Sequence, residues 1–173
     1  MTHTIVQADI FTAAHRISCR IPVGPTGLLT TLNDTTLSVV DAANAYMSRL
    51  EEPAKIVNHF DFISLPKANI AFVILGRRED VGPQGVARGG YTHVLSRPVI
   101  ITLPPFELNG AIETPGKLDA SALLVGGTGR FMPLYQATAT AIPHQEQHYS
   151  GPVMLVNRTL VASLAPETAK GTS

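Results

Sequence analysis

An internal repeat constrains this chain more than any other feature, because a sequence that carries one pattern twice must build two like units. Ile17-Ser-Cys-Arg-Ile21 matches Leu108-Asn-Gly-Ala-Ile112. The apolar residues alternate in both, so each reads as a half-buried strand, with Ile17, Cys19 and Ile21, or Leu108, Gly110 and Ile112, facing inward. A Pro/Gly turn follows in each copy, Val23-Gly-Pro-Thr-Gly27 and Thr114-Pro-Gly116. Leucines at helical spacing come next, Leu28, Leu29 and Leu32 against Leu118, Leu123 and Leu124, enough for one or two helical turns. After a polar or Gly-rich break (Asn33 to Thr35, Gly126 to Gly129), a longer apolar strand covers Leu37 to Ala43 or Phe131 to Ala137. Val40 and Leu134 fall out of step with Ala43 and Ala137, which points to a β-bulge in this strand.

Residues 42–52 are also fair helix formers, Ala-rich with Met47 and Leu50 three apart. The repeat favours strand, because the matching Ala137-Thr-Ala-Thr-Ala-Ile142 has threonine at every second position and stops at Pro143. Each copy closes with two apolar strands separated by a short polar break. Phe62 to Leu65 and Asn69 to Ile74 correspond to Val153 to Leu155 and Thr159 to Leu164, with Ile70, Phe72 and Ile74 matching Leu160, Ala162 and Leu164 on the inner face. The predicted fold is mainly β: two tandem small five-stranded β-barrel modules with short helical turns. The first spans 5–75 and the second 98–165. A Gly/Arg-rich linker or long loop occupies 76–97, and 166–173 read as a disordered tail without an apolar anchor.

Five short strands and one helical turn resemble the small barrels of the Sm-like and SH3-like group. Leu108, Gly110 and Ile112, Leu32-Asn33, Asp41-Ala42, and Asn157 with Leu160 are similar to the running pattern of an uncharacterised bacterial small-barrel domain. The resemblance covers most of both copies and implies a fold, with no activity attached. From an Sm protein the chain departs in the long spacing after Gly110 and in final loops that read Pro66-Lys-Ala and Asn157-Arg-Thr in place of Arg-Gly. Those are the segments where Sm proteins hold RNA bases, so RNA binding does not carry over.

Thirteen basic residues balance thirteen acidic ones. The broad positive field of a nucleic-acid binder is therefore missing, and a barrier to self-association is removed. The single cysteine, Cys19, excludes an internal disulfide and a Cys-rich zinc site. No stretch approaches the roughly 20 apolar residues of a membrane span, and residues 1–9 lack an export signal, so a cytoplasmic location is expected.

Candidate sites are few. His144-Gln-Glu-Gln-His148 would put two imidazoles on one face of a helix, but Pro143 and the expected hairpin make it a polar strand tip. Arg77, Arg78, Arg88 and Arg97, with Tyr91 and His93, form the one basic cluster and could stack single-stranded RNA, with Glu79 and Asp80 offsetting the charge. No nucleophile elbow, phosphate loop or paired carboxylate is visible, so no catalytic residue, metal or cofactor is assigned. The expected function is a non-enzymatic structural or adaptor protein that forms a homo-oligomer or docks a protein partner through strand edges. Single-strand RNA binding and a small-ligand sensor with its site between the modules are the alternatives.

Overall fold

The computed structural model describes residues 3–83, 94–126 and 129–168. Its elements in chain order are β1 (Thr4–Phe11), β2 (His15–Val23), α1 (Leu28–Asn33), β3 (Val39–Arg49), β4 (Glu52–Pro66), β5 (Phe72–Leu75), β6 (Leu95–Leu103), β7 (Phe106–Thr114), α2 (Ala120–Val125), β8 (Phe131–Ala141), β9 (His144–Asn157) and β10 (Ser163–Pro166). Single 3-10 turns, Lys67–Asn69 and Arg158–Leu160, precede β5 and β10. Residues 42–49 lie in β3, where pairing with β2 and β4 overrides the local helix propensity.

All ten strands join one antiparallel sheet in the order β10-β6-β7-β8-β9-β5-β1-β2-β3-β4. Each half contributes the same run: β5-β1-β2-β3-β4 from residues 4–75, and β10-β6-β7-β8-β9 from residues 95–166. The sheet is open and single, which corrects the expectation of two small five-stranded barrels. Closing the first half on itself would require β5 to lie against β4. Instead both sides of β5 are taken, by β1 and by β9, and the halves fuse edge to edge.

The bulge expected in the long strand is present in both halves. Register shifts between Ser18 and Arg20 on the β2 side and between Asn109 and Ala111 on the β7 side. At each place the opposite strand carries a residue with positive φ, Asn44 at 50° and Gln136 at 48°. An extra residue there bends the strand and adds twist, so both hairpins curl over the core at the same point.

Two cores result, and each borrows from the other half. The first is built on β1, β2, α1 and β3, and is completed by Phe131, Tyr135, Val153 and Leu155. The second is built on β6 to β9 and is completed by Phe11, Leu50, Ala71 and Phe72. Phe72 of β5 therefore points into the second core while Val73 and Leu75 point into the first. A strand buried on both faces reads as an unbroken apolar run, which is why the simple alternation expected for Ile70, Phe72 and Ile74 does not hold. The ladders also pair Phe72 with Phe11 and Ser163 with Thr102, so Ser163 takes the place of Phe72. The sequence match of the last strands was one residue out, which exchanges their faces.

Paired volume changes keep the two cores filled. Where the first half has Cys19, the second has Gly110, and a Cβ on Gly110 would lie 2.6 Å from Leu134 Cγ. Leu134 in turn stands at the ladder position of Ala42, so one half uses a larger residue on β2 and the other on β8. The expected linker over 76–97 is partly structured. Arg78–Val81 form a 3-10 turn with Val81 fully buried, and β6 begins at Leu95. Gly27, with φ of 86°, meets this turn so closely that a Cβ would lie 2.3 Å from Gly82 Cα.

Asn157 fastens the seam. Its backbone N–H donates to Ala71 O at 2.9 Å, its Nδ2 donates to Ile70 O at 2.9 Å and Lys67 O at 3.3 Å, and its Oδ1 accepts from the Thr159 N–H and hydroxyl. The residue is completely buried, so Asn157→Ala strands several polar groups away from water. It should lower unfolding stability by about 2–4 kcal/mol in urea denaturation, whereas a loss below about 0.5 kcal/mol would show that the seam does not depend on it.

Candidate functional site

Among the described residues, antiparallel pairing leaves two strands with one bare side, β4 and β10. β4 is long, 15 residues, and carries Phe62 at 83% exposure and Ile56 at 57%. A long unpaired edge that exposes such apolar side chains is a template for strand addition. Its ladder counterpart in the second half, β9, has that side covered by β5, through the pairs Phe72 with Val156, Val73 with Leu155, Ile74 with Met154 and Leu75 with Val153.

Counting along the ladders, Val39, Ala43, Phe62 and Ser64 occupy the positions held in the second half by Phe131, Tyr135, Val153 and Leu155. The second set is buried in the first core. In the first set, Val39, Phe62 and Ser64 are exposed. The helices show the mirror image of this difference. α1 buries Leu28, Leu29 and Leu32, and Asn33 at its end bonds β8 twice, accepting from Phe131 N at 2.8 Å and donating to Phe131 O at 3.1 Å. α2 buries no residue, and Val125 at its end is 88% exposed.

The same comparison identifies a cleft. Arg78 lies with its guanidinium carbon 4.0 Å from the centre of the Tyr135 ring and donates to both carboxylate oxygens of Glu113 at 2.9 Å. By register, Glu113 and Tyr135 correspond to Pro22 and Ala43. Those two residues, with Asp41, Ala42, Phe62, Ile63 and Ser64, line an open cleft of about 490 Å³ beside the bare side of β4. Ser64 Oγ donates to Asp41 Oδ1 at its rim.

Of the basic cluster read from the sequence, Arg77, Arg78 and Arg97 lie among the described residues. Arg77 pairs with Asp80 at 2.8 Å, Arg78 is held by Glu113, and Arg97 lies on β6 opposite Ile112. Arg88, Tyr91 and His93 lie outside the described residues. His144 and His148 lie on β9, opposite Ala141 and Thr140, and His148 Nδ1 is 3.0 Å from Thr140 Oγ1. Among the described residues no three His, Cys, Asp or Glu side chains gather as a metal site would require, and no helix is long and apolar enough to cross a membrane.

Sequence reasoning missed Lys67 and Arg158, which hold equivalent places in the two 3-10 turns. Lys67, only 4% exposed, donates from Nζ to Thr31 O at 2.9 Å and Asp34 O at 2.7 Å, closing the end of α1. Arg158 Nη1 donates to Leu123 O at 3.0 Å in α2. Both cations satisfy carbonyls that a helix end leaves unpaired. Burial pushes the Lys67 ammonium below its usual range, partly offset by Asp34. Phe62 and Asp41 were also missed as a pair, because only the β3–β4 register brings them into one cleft.

Compared with protein-family models, curated proteins and solved structures, the chain matches none.

Cys19 supplies a test of the packing behind this face. Burial, with Asp9 adding to it, pushes its thiol up to about 12. A raised thiol favours folding below its unfolded value near 9, and that contribution is lost as pH rises through the folded value. Urea melts should therefore show wild type losing stability relative to Cys19→Ala from about pH 9 upward toward about pH 12, with parallel curves below that window. Labelling by a thiol reagent should follow unfolding, and rapid labelling of the native protein would contradict the burial.

Proposed function

We propose that the chain is two copies of one five-stranded module and acts as a non-enzymatic structural protein that assembles head to tail. In this reading β4 and β3 of one copy receive β10 and α2 of the next, as β9 and β8 receive β5 and α1 within the chain. The observation that carries it is the seam between β9 and β5. One half of a like contact stands open at each end of the sheet: Phe62, Val39 and the β4 edge at one, Val125 and the β10 edge at the other. The pairing expected from the seam is Ser163 with Leu65, Leu164 with Ser64, Ala165 with Ile63 and Pro166 with Phe62. A contact joining unlike surfaces leaves one of each free at the ends, and so builds a ring if the rotation closes and a filament if it does not.

Light scattering across a concentration series tests this. The mass per particle should rise above that of one chain as concentration increases, be indifferent to nuclease, and fall back for Phe62→Lys, whose exposed site leaves the fold intact. A particle that stays at one chain at the highest attainable concentration would overturn head-to-tail assembly. Loss of mass on nuclease treatment would replace it with the nucleic-acid reading.

A further inference from the structure

The seat of Arg78 recurs at the β4 edge with its chemistry rearranged. In the second half a ring comes from Tyr135 on β8 and a carboxylate from Glu113 on β7. At the β4 edge those two positions are Ala43 and Pro22, which offer neither. The ring instead comes from Phe62, directly opposite Ala43 across the ladder, and the carboxylate from Asp41, two residues before Ala43 and on the same face of β3. Directly opposed residues have their Cβ atoms about 5 Å apart, so the Phe62 ring can stand over the space that Ala43 leaves. Asp41 Oδ1 accepts from Ser64 Oγ, which ties the carboxylate to β4 within the cleft lining. Both seats therefore pair a ring with an anion at the mouth of a strand-accepting edge.

The strand that fills the first seat arrives with its own cation. β5 lies along β9, and the chain then runs through Gly76 and Arg77 to Arg78, three residues beyond Leu75. The chain's other short strand cannot bring the same group. Carrying the seam register over places Pro166 where β5 has Leu75, and the residue three further along is Ala169. Glu167 follows Pro166 directly and would bring a negative charge toward Asp41. A second copy can cover the edge, yet its sequence there carries no arginine: the nearest basic residue is Lys170, whose ammonium cannot stack and bond through a planar fork as a guanidinium does.

We infer that the cleft formed by Pro22, Asp41, Ala43 and Phe62 is a seat for an arginine carried on an extended apolar segment of a different protein, which docks along β4 and caps that end of the assembly. The inference rests on β4 being an open docking edge and not on a second copy filling it. The recognition is that of strand addition, with main-chain bonds supplying the attachment and one pocket supplying the choice of side chain. The guanidinium suits this pocket because it can stack on the Phe62 ring and bond the Asp41 carboxylate together.

A peptide of residues 70–81 of this chain, which contains the natural solution to the equivalent seat, is the probe. Labelled at its amino terminus, it is titrated by fluorescence anisotropy into the full chain, at concentrations where light scattering gives the mass of one chain. Saturable binding is expected, weakened at least about tenfold by Arg78→Gln in the peptide, and likewise by Asp41→Asn or Phe62→Ala in the protein. A second peptide, residues 161–168, should bind more weakly than the first. Asp41 and Phe62 are exposed, so an unchanged melting transition certifies that the variants are folded. Absence of saturable binding overturns the inference. Equal binding of the Arg78→Gln peptide, or equal binding of residues 161–168, also overturns it, since the edge would then accept strands without regard to the cation. Self-assembly is read separately from the mass series, so either result can fail while the other stands.

Discussion

Everything in this sheet depends on β5 being shared. Four residues, Phe72 to Leu75, hydrogen-bond to β1 on one side and to β9 on the other, and send side chains into both cores. A strand with two neighbours and side chains in both cores ties them together, so neither half can be repacked independently of the other. The ring cluster shows the same dependence: Phe11 and Phe72 stack at 4.6 Å, and Phe106 meets Phe72 edge-on at 4.9 Å, so aromatic side chains from both halves close one core. Asn157 then ties the last residue of β9 to the carbonyls ahead of β5.

Much of this was legible in the sequence. The β2 and β7 strands, the helical turns, the strand state of residues 42–49 and the bulge all follow from alternation, spacing and the match between the halves. The open sheet was not legible. Whether β5 returns to β4 or reaches across to β9 leaves the alternation pattern unchanged, because the choice lies in which edge is nearer in space. The only local sign is that Phe72-Val-Ile-Leu75 and Val153-Met-Leu-Val156 are apolar without a break, as strands covered on both faces are. One-sided alternation fits the same residues, and it sets the final strand one position out of register.

The site was less legible than the fold for a similar reason. Arg77 and Arg78 look like a basic patch because charge is visible in sequence and its neutralisation is not. Asp80 is three residues from Arg77, but Glu113 lies 35 positions from Arg78 and reaches it only through the seam. Phe62 reads as an ordinary strand residue in a chain where Val153, at the equivalent place, is buried. Its exposure is a property of strand order, since β4 has no neighbour on its outer side.

The prolines that end β4 and β10 have a consequence for reversibility. At the seam, Asn157 donates its N–H to Ala71, and alternation along an antiparallel ladder turns the N–H of Leu75 toward β9. The residues at those two places on the bare edges are Pro66 and Pro166, which have no N–H to give. A strand added between chains therefore forms two fewer main-chain bonds than the strand already added within one. In the proposed assembly one contact would come in two strengths, a permanent one inside the polypeptide and a weaker one between chains. Units joined by the weaker form would detach and exchange without any of them unfolding.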